Sequence, residues 1–211
     1  MADHRDALDD GSQSRELPGR RRRADAQRSV DALLLAAKEV FATSGVDAPV
    51  REIADKAGVG IGTLYRNFPQ RADLVAAVFR REIDACADAA PLLAGKYAPG
   101  DALGRWLQRY AAFIATKRGL ASVLHSGNPV FNSLPAYFDQ RLQPALRSLL
   151  DAAVAAGDVR SDIEPDDLLT AVGRLSMQEH RGRPDHAERM VGLLIDGLRY
   201  RAGQASDPSS C

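Results

Sequence analysis

Between positions 49 and 69 the chain reads Pro-Val-Arg-Glu-Ile-Ala-Asp-Lys-Ala-Gly-Val-Gly-Ile-Gly-Thr-Leu-Tyr-Arg-Asn-Phe-Pro. Val50, Ile53, Ala54 and Ala57 recur at helical spacing and form the inner face of a short helix from about Pro49 to Lys56, with proline tolerated in the first turn. Gly58 supplies the stop. A second short helix, from about Gly60 to Asn67, places Ile61, Leu64, Tyr65 and Phe68 at helical spacing, and Pro69 prevents its continuation. Two short helices around a tight glycine-containing turn are the result.

Upstream, Val30, Leu33, Leu34, Ala37, Val40 and Phe41 trace the stripe of an amphipathic helix over about 25–44, closed by Gly45. Val40, Phe41, Ile53, Ala54, Val59, Leu64 and Phe68 then suffice for a small three-helix core. That core leaves the outer face of the third helix free to enter a major groove. A long fourth helix starts near Arg71 and carries Leu74, Val75, Val78, Phe79, Ile83 and Cys86 before Pro91 interrupts it. Further helices are predicted near 101–116, 118–125, 134–156, 165–180 and 185–202, bounded by glycine and proline turns. Pro144 predicts a kink or break inside the 134–156 helix. With 45% hydrophobic residues, abundant alanine and no alternating strand pattern, the expected fold class is all-α, with about nine helices. The expected division is a disordered leader over 1–19, a helix-turn-helix domain over 20–70, a larger helical domain over 71–203, and a disordered tail over 204–211.

The 28 basic and 28 acidic residues cancel, yet their distribution is uneven. Residues 1–16 carry net −3, residues 17–80 net +4 and residues 81–211 net −1. Positive charge is concentrated ahead of and within residues 17–80, as expected if one part of the molecule meets phosphates. The run Arg20 to Arg23 reads equally as a solvated basic tail or as an arm reaching an adjacent minor groove.

No run of 18 apolar residues is present, and the first residues are acidic and polar, so neither a membrane span nor a secretory signal is expected; the expected location is the cytoplasm. Cys86 and Cys211 have no metal or redox spacing. His125, His180 and His186 lack ligating partners at i+3 or i+4, so no metal is expected. A nucleophile elbow, a P-loop and a dinucleotide-binding glycine motif are all missing, so no cofactor and no enzymatic activity are expected.

The stretch Gly60 to Pro69 closely resembles the recognition-helix motif of the tetracycline-repressor (TetR) family. Phe41, Gly45, the Val50 to Ala54 run, Ala57-Gly58-Val59, Arg71, Asp73 and Leu74 also agree with that family's N-terminal signature, so the resemblance spans roughly residues 28–80. It implies that Gly62 and Thr63 approach base edges and that Tyr65, Asn67 and Arg71 bind phosphates. Arg66 and Arg51 serve either a guanine edge or the backbone. Gly60 replaces the usual serine cap, Pro49 replaces a Ser or Thr that contacts phosphate, and Asn67 stands where the family has His or Tyr.

Residues 152–166 and Asp196-Gly197-Leu198-Arg199 are similar to the C-terminal halves of some members of that family. The resemblance marks 71–203 as the effector-binding and dimerisation domain and implies a homodimer through helices at about 165–180 and 185–202, with Leu168, Leu169, Val172, Leu175, Val191, Leu194, Ile195 and Leu198 as apolar faces. The expected partner is double-stranded DNA carrying a near-palindromic operator. Trp106, Tyr110, Phe113, His125, Phe138 and Met177 are the candidate lining of a small-molecule effector cavity; ordinary core packing explains the same spacing. The expected function is a repressor released from its operator by a small molecule. The alternative is a helical small-molecule-binding or protein-interaction module that no longer reads DNA.

Overall fold

The computed structural model describes residues 18–117, 127–177 and 185–200, and for 18–23, 116 and 117 the backbone alone. Eight α-helices follow in order: α1 Pro18–Ser44, α2 Val50–Ala57, α3 Ile61–Asn67, α4 Arg71–Ala94, α5 Pro99–Lys117, α6 Leu134–Ala155, α7 Pro165–Met177 and α8 His186–Arg199. A 3-10 turn, Pro129–Phe131, precedes α6. No strand occurs among the described residues. The helix expected at 118–125 lies outside the described residues, as do His125, His180 and most of the leader and tail.

The head is built as its sequence dictates. Leu33, Ala37, Val40 and Phe41 of α1 are buried against Ile53 and Ala54 of α2, and against Leu64 and Phe68 beside α3. Gly45 (φ 80°) and Gly58 (φ 67°) adopt the left-handed conformation that ends α1 and α2. The N–H of Gly58 reaches back to the carbonyls of Ala54 and Asp55. One boundary differs: α1 begins at Pro18, not near Asp25, so the backbone over Arg20 to Arg23 is helical. Four successive like charges have no apolar period that would reveal this.

Of the four apolar and aromatic residues at helical spacing along α3, Leu64 and Phe68 are buried as the expected core requires, while Ile61 and Tyr65 are 39% and 49% exposed. A seven-residue helix anchors through one narrow row, here Leu64 and the flanking Phe68, and Tyr65 sits about 100° round from it. Val59 is only partly buried.

The fourth helix is the spine. It packs against α1 on the head side and against α5 and α6 on the other, and it runs past Pro91 to Ala94. The helix α6 is likewise continuous through Pro144. Both prolines lie on exposed surfaces, while Leu142 and Leu146 flanking Pro144 are fully buried and hold the helix across it. Tertiary packing outweighs the local penalty of roughly 3 kcal/mol.

Trp106 of α5 is completely buried and its Nε1 donates to the Cys86 carbonyl of α4 at 2.9 Å. At the far end of the body, Gly100 N donates to Asp158 Oδ2 (2.8 Å), and Arg199 Nη2 donates to Asp101 Oδ1 (2.9 Å). The apolar faces of α7 and α8 carry a correction. Leu168, Leu169, Val172, Val191, Ile195 and Leu198 are buried within a single chain, where α5, α7 and α8 pack together. They are therefore core, with Leu175 and Leu194 half-buried behind them.

Candidate nucleic-acid interface and effector cleft

Helix α3 stands on the head with one row anchored and the rest facing outward. Its N-cap, Gly60, has extended backbone and no side-chain cap; Thr63 N donates to the Gly60 carbonyl at 2.8 Å and Phe68 N to Leu64 O at 2.8 Å, closing both ends. Gly62, Tyr65, Arg66 and Asn67 are exposed, and Thr63 is half-buried. A Cβ at Gly62 would meet nothing within 4 Å, so the helix surface is bare there.

The polar groups lie along the helix. Arg66 donates through Nε to the Gly62 carbonyl (3.2 Å) and through Nη2 to Thr63 Oγ1 (3.3 Å). Asn67 Nδ2 donates to Thr63 O at 2.8 Å. Arg51 on α2 is exposed and has no hydrogen bond or ion pair among the described residues. These contacts keep the fan of donors on one side of α3, available to exchange for acceptors of a duplex.

Arg71 is held differently from the rest. At the start of α4, its Nη1 donates to the Val46 carbonyl in the turn after α1, and the side chain is half-buried. Arg71 thus braces the head onto the spine. Two ion pairs repeat that connection further along: Arg81 Nη1 with Asp31 Oδ1 and Lys38 Nζ with Glu82 Oε2, both at 2.8 Å.

On the other side of α4, Asp84 Oδ1 accepts from Tyr137 Oη and from Arg141 Nε, each at 2.7 Å, while Arg141 Nη2 reaches Asp88 Oδ1 at 2.7 Å. The hydrogen bond to Asp84, more than burial, holds the Tyr137 hydroxyl above its usual pKa. Head and body are thus both clasped to residues 80–88 of one helix.

A cleft of about 580 Å³ opens between α5, α6 and α7, floored by Tyr110, Ile114, Phe138 and Leu169 and edged by Met177, which is 40% exposed. Of the candidate lining residues, Tyr110, Phe138 and Met177 come together here. Trp106 and Phe113 do not line it. The Trp106 ring stacks behind Tyr110 with centroids 5.7 Å apart, and Phe113 lies between Phe79 (5.4 Å) and Phe138 (6.4 Å). The indole N–H of Trp106 is already used by the Cys86 carbonyl. Tyr110 is 2% exposed; burial first, then Cys86 and Asp139, push its hydroxyl well above the usual value, so it is neutral.

The sequence reading missed Asp139, Asp166, Thr170 and Arg174, which also line the cleft. The available signal was the i, i+4, i+8 spacing of Asp166, Thr170 and Arg174 beside the apolar stripe of α7. Among the described residues no three His, Cys, Asp or Glu side chains are grouped to hold a metal, and no helix is long and apolar enough to cross a membrane.

Residues 33–78 match the family model of bacterial regulatory proteins of the tetR family, and residues 98–200 match the C-terminal domain of SbtR-like transcriptional regulators. No curated protein sequence matches significantly. Among solved structures, the TetR transcriptional regulator SCO0520 from Streptomyces coelicolor is 38% identical, covering 81% of this chain and 98% of its own, with a TM-score of 0.70. The TetR transcription regulatory protein from Mycobacterium vanbaalenii is 32% identical over 84% of this chain and 98% of its own, with a TM-score of 0.67. A gamma-butyrolactone receptor, ArpA-like, is 26% identical over 85% of this chain and 93% of its own, with a TM-score of 0.56. An exposed, polar α3 on a three-helix head, the all-helical body behind it and these similarities together make the chain a member of the TetR family of DNA-binding transcriptional regulators.

Proposed function

We propose that the chain is a dimeric, ligand-responsive repressor that leaves a near-palindromic operator when a small molecule occupies the cleft between α5, α6 and α7. The observation that carries this reading is the continuity of α4. One helix starts at the reading head with Arg71 and carries, within residues 80–88, both the ion pairs to α1 and the Asp84 and Asp88 clasp to α6. Phe138, next to the clasping Tyr137, lines the cleft. A ligand that shifts α6 would therefore tilt α4 and carry the head with it.

Half-sites on a duplex repeat at about 34 Å, so displacement of each head by a few ångströms breaks register. A coupling of about 1–3 kcal/mol is enough to release the operator. The head, residues 20–70, meets DNA, and the body, 71–203, binds ligand and partner. Within the head, Gly62 and Thr63 approach base edges, Tyr65 and Asn67 take phosphates, and Arg66 and Arg51 extend to a guanine edge or the backbone. Arg71 supports the head and offers its remaining donors to a phosphate. A second chain pairs across α7 and α8. Support comes from Leu193, 62% exposed, with Gly192 and Gly197 on the same helix presenting no Cβ to a partner. The similarity to a gamma-butyrolactone receptor supports a small organic effector bound without chemical change.

The test is retention of genomic DNA fragments by the full-length protein. Enrichment of one near-palindrome, bound less tightly as salt rises, is the expected result. One observation favours the alternative of a body whose head no longer reads DNA: neither Pro49 nor Gly60 offers a side-chain cap at the helix starts that face the duplex. Retention of no fragment at low salt would establish that alternative instead.

A further inference from the structure

The polar lining of the cleft is lopsided, and it bears on what the cleft holds. Asp139 projects from α6 and Asp166 from α7, so carboxylates stand on two walls. Gln143, one turn beyond Asp139 on the same helix, donates through Nε2 to Asp166 Oδ1 at 3.2 Å. Asp139 has no hydrogen bond or ion pair among the described residues. Among the described lining residues the cation is Arg174, which like Asp139 and Asp166 is exposed and lies two turns along α7 from Asp166, about 12 Å by helical rise. Beneath these groups the surface is aromatic and aliphatic, formed by Tyr110, Phe138, Ile114 and Leu169.

Three ligand charges can be compared on that lining. An uncharged molecule seated on the aromatic floor would gain the apolar contacts but leave Asp139 without a charge partner. An anion would add repulsion from two carboxylates against one rim guanidinium. A cation would pair with Asp139 and lay its head against electron-rich ring faces. The Tyr110 hydroxyl senses the same field: after burial and Cys86, Asp139 raises its pKa, with no arginine among the groups that act on it.

The geometry points to an amphipathic organic cation, an amine or guanidine head on an aromatic or branched aliphatic body, as the ligand class of this cleft. This rests on the reading of the cleft as the effector site. Asp139 holds the head, Tyr110 and Phe138 the body, and Met177 adapts at the edge. The volume, about 580 Å³, is large enough for a drug-sized molecule, one side of which the open cleft leaves to water.

Three probes with one body and different heads test it: 4-phenylbutylamine, 4-phenylbutanol and 4-phenylbutyrate, titrated against the full-length protein. Trp106 is the sole tryptophan and stacks on Tyr110, so its fluorescence reports occupancy of the floor. The amine is expected to bind about ten-fold more tightly than the alcohol, with the carboxylate weakest. Asp139→Asn should reduce the amine to the level of the alcohol, and Asp139→Lys should turn the preference toward the carboxylate. A Cβ at Gly173 meets Tyr110 Oη at an ordinary 3.5 Å, so Gly173→Met brings a side chain into the cleft without a clash at its root and, once its folding is checked by circular dichroism, should block whatever binds there.

If the alcohol or the carboxylate binds the wild type as tightly as the amine, and Gly173→Met blocks it, the ligand class is overturned while the cleft remains the effector site. If no probe binds, or if Gly173→Met leaves binding intact, both the class and the site are overturned.

Discussion

Replacing Gly62 by alanine separates stability from DNA recognition, because the two are expected to move in opposite directions. Gly62 is the second residue of α3, has no positive φ, and a Cβ there meets nothing within 4 Å. Alanine is therefore free of strain and reduces the conformational freedom of the unfolded chain, a gain of roughly 0.5–1 kcal/mol. In a chain of this size that raises Tm by about 1–4 °C. On the duplex the same methyl occupies the space that lets the helix backbone approach base edges. A cost of about 1 kcal/mol per head, the low end for a lost base contact, becomes about 2 kcal/mol in a dimer, roughly thirty-fold in Kd. Thermal unfolding and fluorescence anisotropy with the selected operator measure the two quantities on one preparation. Gly60→Ser serves as the control: it restores a capping side chain at an open position, should gain a few tenths of a kcal/mol, and should leave operator affinity intact. A Gly62→Ala protein that is more stable and binds its operator as well as the wild type would refute the placement of α3 in the groove.

The clasp between α4 and α6 should behave as a coupled unit: in a double-mutant cycle, Asp84→Ala and Arg141→Ala should show a coupling of about 0.5–1 kcal/mol, modest because the two side chains are 37% and 38% exposed. Either change should also relax the preference for one half-site spacing, and strict additivity with unchanged spacing would count against the clasp. Gly100→Ala brings a Cβ within 2.8 Å of Asp158 Cβ where the backbone N–H already bonds that carboxylate, so a loss of about 1–3 kcal/mol is expected in denaturant unfolding. Burial pushes the Cys86 thiol up from 9.0 to about 12, so folding favours the neutral form. Stability from this group is complete below pH 9 and falls above it, by about 1.4 kcal/mol at pH 10. Cys86→Ala should flatten the decline between pH 8 and 10, and an unchanged slope would show that the thiol does not titrate in this way.

What was legible in the sequence was periodic and local. Leu33, Ala37, Val40, Ile53, Ala54 and Leu64 announced a three-helix head because each is forced inward by helical spacing. Gly45 and Gly58 marked turns through their conformational freedom. The helical start at Pro18 was not legible, because Arg20 to Arg23 carry no apolar period. Pro91 predicted an interruption that packing overrode, and at Pro144, where a kink or a break was expected, the helix does not break. Apolar stripes on α7 and α8 showed that a face is buried, but not by what; Leu168, Val172 and Val191 turned out to be covered within their own chain. In the cleft, Tyr110, Phe138 and Met177 were read as lining, whereas Trp106 was diverted by a carbonyl twenty residues away on α4. Asp139 and Asp166 passed unnoticed because a charged residue on an amphipathic helix is by default a solvated one, and only the crossing of α6 and α7 makes them neighbours of a cavity.

Whether the polar side of α3 reads DNA is tested most directly by titrating the selected duplex against the wild type, Thr63→Ala and Tyr65→Ala, each confirmed as a folded dimer, over a series of salt concentrations. The account predicts a steep loss of wild-type affinity with salt and a further weakening of about ten-fold or more in each variant at every salt. Wild-type affinity retained by both variants would contradict it.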